Sequence, residues 1–319
     1  DPAVVNRYST VEKRNPFYQL SSNGVDVGGQ TSGRNDLLLD GVPIGVGSRG
    51  SYAPPMDAVQ EFTVQQNSVD AEFGHSAGGI LSVSMKSGTN EFHGTAYYFG
   101  RNPALNAVSN SVTRSRNLVR NHIWGGTLGN PIKKNKLFNF FTYEQWRNQE
   151  PRTKIQTLPT DLERTGDFSQ SLNRSSGSRV LYDPWTTQFN PATGAVARTP
   201  FAGNRIPASR MDPSSLRFLQ DVWKPNHPGD DQTGVNNYKI TYTWFLDYWN
   251  LSDRVDWNIS DKWKMYARYS VIRTRLDNSN YAGSPGVTSD NGGLMDALNA
   301  AADVVYTVNP STVLNFRFG

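Results

Sequence analysis

The string with the most chemical promise is Gly45-Val46-Gly47-Ser48-Arg49-Gly50, a G-x-G-x-x-G that follows the apolar run Leu37-Leu38-Leu39. Dinucleotide binding requires a helix to open at once after such a loop, because its N-terminus holds the pyrophosphate. Here Ser51-Tyr52-Ala53-Pro54-Pro55 comes next, which cannot start that helix in the required place. The four histidines, His75, His93, His122 and His227, form no pair at metal-binding spacing, and the chain has no cysteine to assist them. Asp70 and Glu72 share a face if extended, and Asp230 adjoins Asp231. Paired carboxylates on a polar surface are ordinarily solvated, and no nucleophile elbow, phosphate loop or zinc-hydrolase motif accompanies them. No catalytic residue, metal or cofactor is therefore expected, and the chain does not read as an enzyme. Trp185 and Trp223 lie in a long polar stretch, where their flat faces would either stack on a sugar or pack the stretch onto itself.

The elements that must position such residues are strands and turns. The 319 residues include 8 Trp, 14 Tyr, 15 Phe and 28 Gly, with hydrophobic residues at only 36%. Aromatic strands and glycine turns without long apolar runs point to an all-β chain. No stretch approaches the ~20 apolar residues of a spanning helix, which leaves open a barrel whose strands alternate between lipid and a polar lumen. The net charge of +4 is scattered along the chain, so no nucleic-acid face is expected.

Residues 1–36 are turn-rich, and Leu37–Leu39 reads as a buried strand entering the turn Asp40-Gly41. A glycine-rich loop runs from Gly45 to Pro55, "MDAVQEFTVQ" reads as a helical turn leading into a strand over Val59–Val64, and this compact α+β unit ends near Lys86. Beyond Phe92 the texture is alternation with period two. Trp249, Leu251, Val255, Trp257, Ile259, Trp263, Met265, Ala267, Tyr269 and Val271 share one face of a hairpin turning at Ser260-Asp261. Asn250, Arg254, Asp256, Lys264 and Arg268 share the other, with Asp253 the one charge on the apolar face. That dressing suits a bilayer-spanning hairpin, the first set facing lipid and the second a lumen where substitutions are tolerated. Further strands are expected at Phe92–Arg101, Asn121–Gly129, Leu137–Asn148, Ala302–Val308 and Val313–Phe318, although the Leu137 segment alternates poorly. From about 150 to 239 runs a polar stretch far longer than an ordinary connection, expected to be an extracellular loop.

These residues also carry a resemblance. "NDLLLDGVPI", Asn35 to Ile44, resembles the plug strand of TonB-dependent outer-membrane receptors with its Asp-Gly-Val. "MDAVQEFTVQQNSVDAEFGHSAGGILSVSMKSGTNEFHGTAYYF", Met56 to Phe99, resembles the close of that plug and the first barrel strand in the Oar-like group. "NHIWGGTLGNPIKKNKLFNFFTYEQW", "TLPTDLERTGDFS", "IPASRMDPSS", "DRVDWNISDKWKMYARYS" and "NPSTVLNFRFG" continue the match in collinear order. The resemblance implies residues 1–88 as the C-terminal part of a plug, with Asp40, Gly41, Gly74, Gly78 and Gly79 as its motif residues. It implies residues 89–319 as the N-terminal part of a barrel of ~22 strands, which the seven strand candidates here cannot close alone.

The resemblance further implies a bacterial outer-membrane location, contact with lipid, and uptake of a ligand driven by TonB pulling on the plug, although the segment touching TonB is not among these residues. Oar-like surface adhesion or protein export is the first alternative. A soluble carbohydrate-binding β-protein is the second. The ligand, an oligosaccharide or a peptide, is expected at the plug loops, Gly24–Gly33 and Gly45–Pro54, with Arg49 and Tyr52 as the large side chains of the second loop and Trp185 and Trp223 as outer candidates.

Overall fold

The computed structural model describes residues 4–6, 25–27, 35–46, 49–50, 52–66, 79–108, 116, 118–173, 177–231, 233–277 and 292–319. Within them strands dominate. β1 (Val4–Asn6) pairs with β2 (Val25–Val27). β3 (Asp36–Leu39) turns through Asp40-Gly41 into β4 (Val42–Pro43), and β5 (Gly45–Val46) pairs with β6 (Arg49–Gly50). After a 3-10 turn at Met56–Ala58 come β7 (Val59–Gln65) and β8 (Ile80–Met85). The order β4-β3-β8-β7 makes a mixed four-stranded sheet in which β3 runs parallel to β8, Asp36 opposite Ile80 and Leu39 opposite Val83. This sheet falls where the resemblance implies the plug portion. Leu37, Leu39, Ile44, Leu81, Val83 and Met85 bury its apolar face, each side chain contributing about 1.5–3 kcal/mol.

The second sheet has seven strands: β9 (His93–Arg101), β10 (Arg120–Lys133), β11 (Leu137–Gln156), β16 (Tyr238–Asn258), β17 (Trp263–Asp277), β18 (Gly292–Asn309) and β19 (Thr312–Phe318). They neighbour one another in chain order, an up-and-down meander that forms part of a barrel wall and does not close. All of the expected strands are present, and several run longer than the alternation indicated. The links β10–β11, β16–β17 and β18–β19 are tight turns, whereas the alternate links are long. Short turns on one rim and long loops on the other is outer-membrane barrel architecture. No helix among the described residues is long and apolar enough to cross a membrane, which says nothing about strands.

Both sheets belong to one compact unit, Asp1–Glu150, Phe245–Asp277 and Gly293–Gly319. Phe140, Tyr248 and Ile272 of the wall are buried in the core of the plug sheet. That explains the poor alternation at Leu137: where the wall packs on a plug, its inner face is apolar as well, so Phe138, Phe140 and Phe141 fall on both faces. Gly88, in the link from plug to wall, lies so close to β11 that an added Cβ would sit 2.3 Å from the Asn139 carbonyl. Asn90 then bonds reciprocally with Asn135 of the β10–β11 turn, at 2.7 Å in each direction. The "SGTN" string thus lets the chain approach the wall and fastens it there.

The second compact unit, Pro151–Trp244 with Asn278–Gly292, covers the long polar stretch. It is a folded body rather than a bare loop. Thr160 and Glu163 form a reciprocal capping box on α1 (Asp161–Arg164). Arg164 donates to the Leu219, Val222 and Trp223 carbonyls at the end of α2 (Pro213–Asp221), satisfying groups that a helix terminus leaves open. Two small hairpins complete it, β12 (Leu172–Asn173) with β13 (Gly177–Ser178), and β14 (Gln188–Asn190) with β15 (Ala195–Ala197).

Candidate functional site

The plug meets the wall at the Asp-Gly turn. Asp40 and Gly41 both have positive φ, 51° and 78°. Glycine takes that conformation without strain, and at Gly41 a side chain would also strike Arg317, whose Nη1 lies 2.0 Å from the position of an added Cβ. The turn delivers the Asp40 carboxylate to two wall arginines: Arg254 Nη1 stands 3.0 Å from Oδ1 and Arg268 Nε 2.9 Å from Oδ2. The Met85 amide donates to Oδ1 at 2.8 Å, and the Tyr266 hydroxyl to the Asp40 carbonyl at 2.8 Å. Asp256 pairs with Arg254, and Asp303 with Arg317, which also donates to the Gly41 carbonyl. Three carboxylates thus balance three guanidinium groups around one turn.

Ser270 accepts from Arg268 at 3.0 Å and shares a 2.7 Å hydrogen bond with Ser252, while the Arg254 guanidinium lies 4.3 Å from the Tyr266 ring centre. Buried charges persist only when paired and hydrogen-bonded. The ion pairs of this cluster hold the turn to one place on the wall, with Arg268 Nε and Asp40 Oδ2 meeting as charges without hydrogen-bond geometry.

Tyr52, expected at a ligand loop, is buried, and its hydroxyl donates to Asn250 Oδ1 at 2.9 Å. Asn250 in turn donates to the Ala53 carbonyl at 2.7 Å. Burial pushes the Tyr52 phenol up to about 12. Its ring therefore anchors the second plug loop to the wall. The backbone of Arg49 lies in β6, whereas its side chain falls outside the described residues, as do Gly74, Gly78 and most of the Gly24–Gly33 loop. Gly79 is buried, its amide donating to Asn35 Oδ1 at 2.9 Å beside the start of β3.

The hairpin faces divide as the alternation indicates. Asn250 and Arg268 are buried toward the plug sheet, and Trp257, Ile259, Trp263 and Tyr269 are exposed on the opposite face. Asp253, the lone charge on that face, accepts a hydrogen bond from Asn139 of β11. The expectation of a uniformly tolerant lumen face needs correcting: Asn250, Arg254 and Arg268 hold the plug.

In the second unit the two tryptophans differ. Trp223 stacks against Tyr238, ring centres 5.5 Å apart, and so packs the unit onto itself. Trp185 is 77% exposed. The guanidinium of Arg210 lies 3.3 Å from its ring centre, and Asp183 grips that guanidinium from two nitrogens at 2.9 and 2.7 Å. Asp183 also accepts from the Trp185 amide at 2.9 Å, and its bonds with Arg210 hold the carboxyl below the usual carboxylate range. Trp185 is an outward ring on a fixed mount.

The Asp40 lock was missed at the level of single residues, though a signal existed. Arg254 and Arg268 stand directly opposite one another across β16 and β17. Like charges in register repel unless an anion lies between them. The hallmark Asp40 supplies it.

Comparison with known proteins agrees with this architecture. A family model described as an outer membrane beta barrel domain matches residues 84–319. Over 149 residues, 43% of this chain, the sequence is 31% identical to the TonB-dependent transporter Oar of Myxococcus xanthus. That alignment spans 14% of the relative. Among solved structures, the outer membrane transporter YddB of Escherichia coli superposes with a TM-score of 0.51 at 10% identity, covering 96% of this chain and 33% of that one. A ferric enterobactin receptor mutant of Pseudomonas aeruginosa gives a TM-score of 0.47 at 12% identity, over 97% of this chain and 39% of that one.

Proposed function

Because the chain belongs to the outer membrane beta barrel domain family and is a protein of the bacterial outer membrane, we propose that it is the plug-and-first-strands portion of a TonB-dependent receptor that takes up a ligand by energised displacement of the plug. The observation that carries this reading is the Asp40 lock. A sheet distinct from the wall packs on its inner face through a shared apolar core, and around Asp40 it is also held by ion pairs and hydrogen bonds that a directed pull can break one by one. Polar contacts of this kind specify position more than they add stability, as a part that must be held and then moved requires. The ligand is an oligosaccharide or a peptide, with Arg49 of the second plug loop and, separately, Trp185 as its candidate contacts; Tyr52 holds that loop in place and Trp223 packs the second unit. TonB is the periplasmic partner in this reading.

The test is uptake by cells carrying the full-length receptor with a disulfide engineered between plug and wall near Asp40. Loss of ligand-dependent growth that is restored by reductant supports plug displacement, and undiminished growth under oxidising conditions sinks it. Adhesion or export in the Oar-like manner is the second reading, favoured by the size and internal bracing of the second unit. Loss of cell cohesion or of a surface protein on gene deletion, without a growth defect on any ligand, would select it. The soluble carbohydrate-binding alternative gives way to the family membership.

A further inference from the structure

The rim of short turns carries a set of cations that the plug lock does not use. Lys133 ends β10, Lys134 and Lys136 form the β10–β11 turn, and Lys262 lies in the β16–β17 turn. The turns abut, since the Asn258 amide donates to the Lys136 carbonyl at 2.7 Å and the Thr307 amide to the Lys262 carbonyl at 2.8 Å. All four lysines are exposed, and among the described residues no acidic side chain lies within ion-pair distance of them. Asp261 and Glu91 are the acidic residues at this rim, so cations outnumber them by two to one.

Register places Lys133 opposite Leu137, on the side where Asn139 reaches Asp253 and away from the plug. Just inside the rim on that outward face are Trp257, Ile259 and Trp263, all exposed, with Trp263 stacked on Tyr306 at 4.2 Å between centres. Aromatic rings of this kind settle at the level of lipid headgroups, and lysine stems extend from apolar surface to carry their charge to the polar layer. Short turns face the periplasm. An unpaired row of lysines at the headgroup level of that leaflet has its complement in anionic phosphate.

We propose that Lys133, Lys134, Lys136 and Lys262, above the Trp257–Trp263 band, form a binding site for anionic phospholipid headgroups of the periplasmic leaflet. The site secures the first hairpins of the wall at a fixed depth while the plug is moved. It depends on the outer-membrane location and not on which ligand is carried. A zwitterionic headgroup offers the same phosphate with a cancelling ammonium, so preference for the anionic lipid is the signature of charge recognition.

The experiment is native mass spectrometry of the full-length receptor in neutral detergent, titrated with phosphatidylglycerol or with phosphatidylethanolamine of the same acyl chains. The intact receptor is expected to retain phosphatidylglycerol preferentially. K133Q/K134Q/K136Q/K262Q is expected to weaken that retention by two to three orders of magnitude, about fivefold for each of the four cations near an anionic surface, with phosphatidylethanolamine unchanged. The corresponding Lys→Arg variant should keep the preference. Equal retention of the anionic lipid by the intact and glutamine forms would overturn the proposal. If the glutamine form failed to assemble, the unmodified receptor would still decide: a preference that persists undiminished at high salt overturns it, and one that salt abolishes supports it.

Discussion

Asp40 and Arg268 meet 2.9 Å apart with side-chain exposures of 3% and 0%, although 228 positions and a change of sheet separate them in the chain. The pair joins the plug turn to the wall, and its energetics follow from burial. Removing one partner leaves a charge that water cannot reach, which costs about 3–5 kcal/mol. Asp40→Ala should therefore loosen the plug far more than its small volume suggests, whereas replacing Asp40, Asp256, Arg254 and Arg268 together by apolar residues, which leaves none of these charges without its partner, should recover much of the loss. Limited proteolysis of the plug in the assembled receptor, beside heat-modifiable mobility of the barrel, separates the two effects. Equal protection of intact and Asp40→Ala plugs would refute the lock.

The wall faces make a second prediction. Val255→Arg places a charge on the outward face and should cost about 2–4 kcal/mol of barrel stability if it lies at mid-membrane. Lys264→Gln, on the inner face near the turn and apart from the lock, should assemble normally. Arg254→Val should assemble a barrel but free its plug, because Arg254 bonds Asp40 and Asp256 rather than facing open lumen. Heat-modifiable mobility reads the first two, and plug proteolysis the third. Should Val255→Arg assemble as well as Lys264→Gln, the faces are assigned the wrong way round.

Much of this arrangement was legible in the sequence, for definite reasons. Alternation at Trp249–Ile259 and Trp263–Val271 reports a wall whose two faces meet different surroundings, and those strands emerged in the expected register. Leu137–Asn148 was harder to read because Phe140 packs on the plug while Phe141 lies on the other face, which erases the polar half of the pattern. Strand ends were also understated: β11 runs on to Gln156 through Glu150 and Pro151, residues whose types suggest a loop. The burial of Tyr52 was not legible at all, since its partner Asn250 is 198 positions away and a tyrosine in a glycine-rich loop has the same local signature whether it faces ligand or wall. Trp185 and Trp223 could not be told apart for the same reason. Their difference rests on Arg210 and Tyr238, distant in sequence and adjacent in space.

Tyr52 makes the docking of the plug sensitive to alkali. Burial raises its folded pKa to about 12 from the usual 10, so its neutral form is favoured in place. The corresponding stability is fully present below pH 10, declines between 10 and about 12, and is lost above that as the phenol ionises in both states. A spectroscopic titration of tyrosine ionisation should lose one group that titrates near 12 on going from the intact receptor to Tyr52→Phe. Superimposable titrations of the two proteins would remove Tyr52 from the interface.

The mount beneath Trp185 makes the last prediction, and it separates orientation from contact. Asp183 holds Arg210, and Arg210 holds the indole, so Asp183→Ala should leave the ring present but no longer fixed. Acid should act in the same sense. The folded pKa of Asp183 is lowered, so its contribution is present above the unfolded value and is lost as pH falls through the folded one. With Trp185 as the one fluorescent label in a background of Trp→Phe changes, anisotropy should fall in Asp183→Ala at neutral pH and in the parent only at strongly acid pH. If Trp185 contacts ligand, Trp185→Ala should weaken binding by about 1–3 kcal/mol of stacking, as for other ring-on-ring contacts. Asp183→Ala should weaken it by less, because the ring remains and only its fixed pose is lost. Binding unaffected by either change would leave the second plug loop around Arg49 as the place where ligand is met.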